Sequence, residues 1–366
     1  MEYYQHLAEQ IHRQLCVIPA PSYQEDLRAA YCLKKLKEFG FGDAFVDEVK
    51  NVICRFEAGE SADTVIFAAH TDVVFPDTQP LPLWEDETNL YCPGCGDDTV
   101  CVAQLMSVMK KLRDEGKKPL CNVVFAFNAC EEGLGNLKGT RALMARWGEK
   151  VKAFFTFDGK YRAVVDRSVG SHRYRVTVKT QGGHSFNDFG NENAARVLAK
   201  GIGLIYDIPV PTGGKTTYNV GMISGGTSVN TIVQEASMLC EYRSESGENL
   251  EYMKHAFRKV FDAMAETAEV EVELVGDRPG MRGVDPEAQN ALTDLCVRIQ
   301  HKHSGILPVK NSGSTDCNIP HSMGIPAVCV GTYLGGGTHT RQEWVRKDSI
   351  PIGVSIVSEI VETYFR

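Results

Sequence analysis

The sequence predicts an α/β protein in two parts: a layered domain split along the chain, and an α+β domain inserted into it. Three observations carry this. Short apolar runs alternate with amphipathic stretches over residues 1–169 and again over 280–366, as strands covered by helices do. Between them, from about Ser171, the extended stretches alternate apolar and polar residues, as strands with one wet face do. The apolar runs of the outer segments also end, one after another, in His or carboxylate residues.

Taken in order, residues 2–16 read as an amphipathic helix ended by Pro19 and Pro21. A second helix is expected over about 25–41, with Leu27, Leu33 and Leu36 on one face. Strands follow near 51–57 and 64–69, the second apolar until it ends in His70 and Asp72. After a loop with Pro76, Pro80 and Pro82, a Gly-rich turn holding Gly96-Asp97-Asp98 runs into a helix from about residue 98. Val123 to Phe127 reads as a buried strand that leads to Glu131, Glu132 and Gly133. A helix over 137–147 and a strand ending in Asp158 complete this half, and the alternation implies a mostly parallel sheet. In the insertion, about residues 170–279, the order is β-α-β-β-α-β, the ferredoxin-like arrangement. The chain then returns to helix–strand alternation through His339 and closes in a helix over 354–365.

With 366 residues and 43% hydrophobic content, the chain exceeds what one core normally organises, hence two domains. A net charge of −8 argues against nucleic acid or an anionic membrane as partner. The 12 cysteines are scattered and the N-terminus is not signal-like, so reduced thiols in a cytoplasm are expected. No apolar run approaches the ~18 residues of a membrane span.

A Glu-Glu pair alone reads more readily as a solvated helix start, where acidic residues suit the macrodipole. Polar residues at five strand ends, His70, Asp97, Glu131 with Glu132, Asp158 and His339, are harder to dismiss. Imidazole nitrogen with carboxylate oxygen and no thiolate suits catalytic rather than structural Zn2+. The number of groups suits two ions sharing a bridging carboxylate. Cys92 and Cys95 form a lone CxxC, read as free thiols because a closed zinc site needs a second pair.

The runs HTD (His70 to Asp72), GDD (Gly96 to Asp98), EEG (Glu131 to Gly133), FDG (Phe157 to Gly159), GGHS (Gly182 to Ser185) and GTHTRQE (Gly337 to Glu343) occur in that order. In this the chain resembles the co-catalytic zinc metallohydrolases that include peptidase T, glutamate carboxypeptidase, aminoacylase and succinyl-diaminopimelate desuccinylase, with peptidase T the nearest branch. The resemblance implies a zinc-peptidase-type layered α/β catalytic domain (1–169 and 280–366) and a lid and dimerisation domain (170–279). It implies two Zn2+ per chain, replaceable by Co2+ or Mn2+, with His70, Asp97, Glu132, Asp158 and His339 as ligands and Asp97 bridging. Asp72 would orient His70, and Glu131 would be the general base. His184 would stabilise the oxyanion or hold substrate, with Asn230 and Arg243 beside it. His184 reads equally as an ordinary helix-start residue and Arg243 as a surface ion pair. The implied activity is cleavage of amide bonds in small peptides, aminopeptidase- or tripeptidase-like, by a cytoplasmic homodimer. The alternatives are an N-acyl-amino-acid deacylase or dipeptidase, and a catalytically inactive metal-binding scaffold. The chain departs from the family after Asp98, where Thr99-Val100-Cys101 stand in place of the usual Lys.

Overall fold

A computed structural model describes residues 1–59 and 63–366. The chain forms two compact units, Met1–Ser168 with Arg282–Arg366, and Val169–Met281.

The first unit is built on an eight-stranded sheet, counted among the described residues. In spatial order its strands are Phe45–Val46, Val52–Phe56, Asn122–Asn128, Thr64–His70, Val151–Phe157, Ala327–Val330, Ala163–Ser168 and Val309–Gly313. The sheet is mixed. Its centre is parallel, from Asn122–Asn128 across to Ala327–Val330. Val52–Phe56 runs antiparallel to Asn122–Asn128, and Ala327–Val330 antiparallel to Ala163–Ser168.

All of Thr64–His70 is buried because apolar side chains are covered on both faces. Val65, Phe67 and Ala69 join a large core with residues of Glu2–Cys16, Cys101–Asp114 and Ser349–Glu362, while Ile66 and Ala68 join a second core with Leu137, Leu143 and Ile319. Phe67 stacks on Phe155 and Phe125 at ring-centroid distances of 5.0 and 5.6 Å, so neighbouring strands are locked by offset aromatic pairs. These contacts fix the strand ends, and the strand ends carry the site.

Two helices differ from expectation. Asp26–Glu38 buries Arg28, Ala29, Cys32 and Leu36, whereas Leu27 is 58% exposed. Leu27 lies one position off the stripe set by residues three and four apart, and the buried edge is instead taken by small residues and an arginine stem. The helix after Gly96-Asp97-Asp98 starts at Cys101, because Asp97 itself is extended (φ −99, ψ 98) in a wide turn over Cys95–Val100. The strand Ala163–Ser168 and the helix Pro286–Ser304 were not picked out in sequence. The latter is capped by Asp285, whose carboxylate accepts the Glu287 and Ala288 N–H groups.

The second unit holds an antiparallel four-stranded sheet in the order Thr216–Gly225, Glu235–Ser244, Gly170–Lys179, Glu269–Arg278. With helices Ala194–Tyr206 and Gly247–Ala265 this is the ferredoxin-like α+β arrangement. Val176, Val178, Met238 and Cys240 on one sheet face pack against Val197, Leu198, Phe257 and Phe261 from the helices. Alternate residues such as Arg175 remain in solvent, which is why these strands read as half-wet. Among the described residues no helix is long and apolar enough to cross a membrane.

Candidate metal centre

His70 ends its strand and is 1% exposed. Its Nε2 lies 3.1 Å from Asp97 Oδ1, and its Nδ1 lies 3.1 Å from the Asp72 carbonyl and 3.5 Å from Asp72 Oδ1. The neighbouring strand pairs Asn128 with His70, so Glu131 and Glu132 emerge beside it. Between strand and pair, Cys130 takes φ +59 and turns the chain. Asp72, fully buried, fixes that turn: Oδ1 accepts the Glu131 N–H at 2.9 Å, and Oδ2 accepts the Glu132 N–H at 3.0 Å and the Ser22 hydroxyl at 2.7 Å. Asp72 therefore holds the two glutamates as well as facing His70.

Asp158 follows the strand Val151–Phe157, and its N–H donates to the Val330 carbonyl at 3.0 Å. His339 adopts φ +64, an uncommon conformation for a side chain of its size. Its Nε2 is 3.1 Å from Asp97 Oδ2 and 3.1 Å from Glu132 Oε1. Ligand atoms thus cluster within 4.8 Å in three sets: His70, Asp97 and Asp158; Asp97, Glu132 and His339; His70, Glu131 and Glu132. Asp97 joins the first two sets, one oxygen toward each histidine.

The charges are crowded. Burial pushes Asp158 up to about 7, with the Asp97 carboxylate adding to it. Burial would raise Asp97 too, but bonds to His339 and His70 hold it well below the usual carboxylate range. Burial would lower His70, yet Asp72 and Asp97 more than reverse this. Bonds to Asp97 and Glu132 lift His339 to about 10. The carboxylates around the two imidazoles thus favour positive charge at this spot. Divalent cations would supply it, and the donor set of imidazole and carboxylate fits them. Among the described residues no cysteine belongs to a group with ligand spacing, so Cys92 and Cys95 stay buried thiols.

In the second unit, His184 pairs with Thr231 in a two-stranded piece, and the Ser185 N–H donates to the Asn230 carbonyl at 2.9 Å. His184 Nδ1 accepts the Phe186 N–H at 3.2 Å and the Asn187 N–H at 3.4 Å, which leaves Nε2 to carry the proton. His184 and Asn230 thus share one corner. Arg243 does not: it lies eight residues along its strand from Glu235, the end that follows Thr231–Ile232, roughly 26 Å at the usual rise. Its guanidinium grips Glu241 at 2.8 and 3.1 Å.

Residues 66–363 match the family described as Peptidase family M20/M25/M40. The chain belongs to this family. Membership in this peptidase family makes the M20 chain described here a hydrolase. It is 25% identical over 331 residues to a Bacillus subtilis (strain 168) protein named "Uncharacterized protein YqjE", covering 85% of this chain and 84% of that one. Solved structures share the fold: aminopeptidase PepT from Bacillus cereus ATCC 10987 (TM-score 0.75, 22% identity, 98% of both chains). A tripeptidase from Staphylococcus aureus gives TM-score 0.75 at 20% identity, again over 98% of both chains.

Two residues of the M20 centre escaped the sequence reading as individuals. Glu343 is 1% exposed; Oε2 accepts the Gly94 N–H at 2.9 Å, and Oε1 accepts those of Gly96 and Asp97 at 3.0 and 2.8 Å. Burial raises it to about 7. It closes the run GTHTRQE, but a carboxylate whose partners are backbone amides leaves no pattern of its own in sequence. Arg28, also 1% exposed, ties the two loops that carry the centre, donating to the Thr71 carbonyl at 3.0 Å and the Thr99 hydroxyl at 2.9 Å.

Proposed function

We propose that the chain is a metal-dependent amide hydrolase acting on small peptides, aminopeptidase- or tripeptidase-like, with Glu131 as general base. The observation that carries this is Asp97, whose two oxygens face separate imidazoles in two ligand sets, with Glu131 adjoining a member of one set. His70, Asp97 and Asp158 would hold one ion, and Asp97, Glu132 and His339 the other, with Zn2+ the proposed occupant and Co2+ or Mn2+ able to replace it. When bound, such ions supply Lewis acidity toward a carbonyl and make water easier to deprotonate. Glu131 takes the proton from the attacking water and returns it to the leaving amine. Asp72 keeps Glu131 in place through its backbone N–H. His184, with its proton on Nε2, donates to the oxyanion, and Asn230 at the same corner helps to hold the substrate. Arg243, bound to Glu241, would reach a substrate only by giving up that pair.

The peptide substrate is supported by family membership and by the aminopeptidase and tripeptidase that share the fold. We place the protein in the cytoplasm as a homodimer. The strand Thr216–Gly225 is an edge of its sheet and exposes Met222 and Ile223, a surface suited to isologous pairing. The test is a panel of tripeptides, dipeptides and N-acyl amino acids, run with metal and with chelator. Tripeptide hydrolysis lost on chelation is expected. Preference for dipeptides or N-acyl amino acids would replace the substrate class, and no turnover by metal-loaded protein would leave a binding scaffold.

A further inference from the structure

We propose that Glu343 is the positioning residue of the centre: its carboxylate sets where Asp97 stands, and so controls both metal sites at once. This rests on the reading of Asp97 as the shared ligand. Three backbone N–H groups, from Gly94, Gly96 and Asp97, converge on one buried carboxylate at 2.8–3.0 Å. Asp97 and Asp98 both leave helical geometry inside this turn, and the amides on the Gly94–Asp97 side need an acceptor from elsewhere. Glu343 supplies it. It also binds the loop through its own carbonyl, which accepts the Cys92 N–H at 3.2 Å.

The cradle is closely built. A Cβ on Gly96 would meet the Tyr333 hydroxyl at 2.7 Å and Glu343 Oε1 at 2.8 Å, so only glycine lets the amide approach. Four residues before Glu343, in the same turn-bounded segment, stands His339, which faces the other oxygen of Asp97. One short stretch of chain therefore carries a ligand of its own and fixes the carboxylate that faces it. Only a carboxylate can do this. All three partners are donors, and an amide at 343 would turn its NH2 against one of them.

The test titrates Zn2+, and separately Co2+, into metal-free full-length protein by calorimetry, comparing wild type with Glu343→Gln. Groups that orient metal ligands typically change affinity about 10- to 100-fold when altered. Glu343→Gln should weaken both ions together by that factor, and the Co2+ absorption spectrum should change with it. Val357→Ala, a core truncation remote from the loop, shows what lost stability alone does, and its affinities should match wild type. If Glu343→Gln does not fold, Glu343→Asp takes its place; it keeps the charge but is one methylene too short to reach all three amides. Unchanged affinities in a folded variant, or weakening of one ion only, overturn the proposal. Asp97→Ala separates the two readings: if it keeps both ions, the shared-ligand assignment itself has failed.

Discussion

His70 and His184 are both imidazoles at strand ends, yet His70 is engaged at both ring nitrogens in a buried cluster while His184 stands exposed. The first unit fixes its polar groups twice over. Asp72 holds two backbone amides and a hydroxyl while facing His70, and Glu343 holds three amides around Asp97. The second unit fixes only the tautomer of His184, through two backbone N–H groups, and leaves the rest of the ring to solvent. Of the proposed ligands, His70 and Glu132 are buried and Asp97 and Asp158 half-buried, whereas His339 is exposed and meets the cluster through Nε2, 3.1 Å from both Asp97 and Glu132. A donor needed only as charge develops can wait in water.

Four experiments probe this contrast. The largest effect is expected from Asp97→Ala, which should lose both ions and all detectable turnover, because without the shared carboxylate two dications repel each other. Metal analysis of the purified variant decides, and retention of two ions would remove the basis for calling the first unit a shared-ligand centre. Glu131→Gln comes next. It keeps its shape and leaves Glu132 as ligand, so metal content should hold while kcat falls about 100- to 10,000-fold. Near-normal turnover would mean that another group takes the proton.

His184→Ala tests the other side of the contrast. Folding and metal content should be unchanged, kcat should fall about 100- to 1,000-fold, and KM should move less. Mixed with Glu131→Gln, it should recover part of the activity if His184 serves across a dimer. Loss of metal from this variant would show that the two units do not divide the work as stated.

The smallest effect concerns acid. Burial holds His12 and His321, both in the first unit, down at about 4. Their folded values lie below the unfolded ~6.5, so the unfolded chain binds the extra proton first. Their contribution is complete above pH 6.5, drains away as pH falls through 6.5 toward 4, and levels off below. Each is worth up to about 3 kcal/mol over that window. Denaturant unfolding of His321→Gln should show a shallower loss between pH 6.5 and 4, and an unchanged slope would mean His321 is already protonated in the fold.

His70, Glu132 and Asp158 were readable because each ends or follows a strongly apolar strand, as TVIFAAH and VKAFFTFD show in a few residues, whereas Asp97 and His339 stand in glycine-rich turns. The inserted unit was readable for the opposite reason, since half-wet strands alternate visibly. What was not legible depends on partners distant in sequence. Leu27 was grouped with Leu33 and Leu36 although it lies one position off their stripe, and the face that turned inward was the one whose Arg28 could reach Thr71 and Thr99. The strand Ala163–Ser168 follows another strand with only a short turn between, so no helix marked it as separate. Glu343 acts through backbone amides some 250 positions away in sequence, a relation that no local pattern records.

The place of Ala327–Val330 in the sheet has a consequence for biosynthesis. It lies between Val151–Phe157 and Ala163–Ser168, both of which leave the ribosome well before it. At ~5–20 residues per second, roughly 8–30 s separate the emergence of residue 168 from that of residue 330. Until then the nascent sheet has a gap, and the carbonyl of Val330 that receives the Asp158 amide is missing. His339 comes later still. Four of the five proposed ligands therefore wait on an unfinished sheet for His339, and metal capture should be among the last events of synthesis. Chains stalled before residue 327 should fail to retain Zn2+ on gel filtration, whereas released full-length chains should keep it.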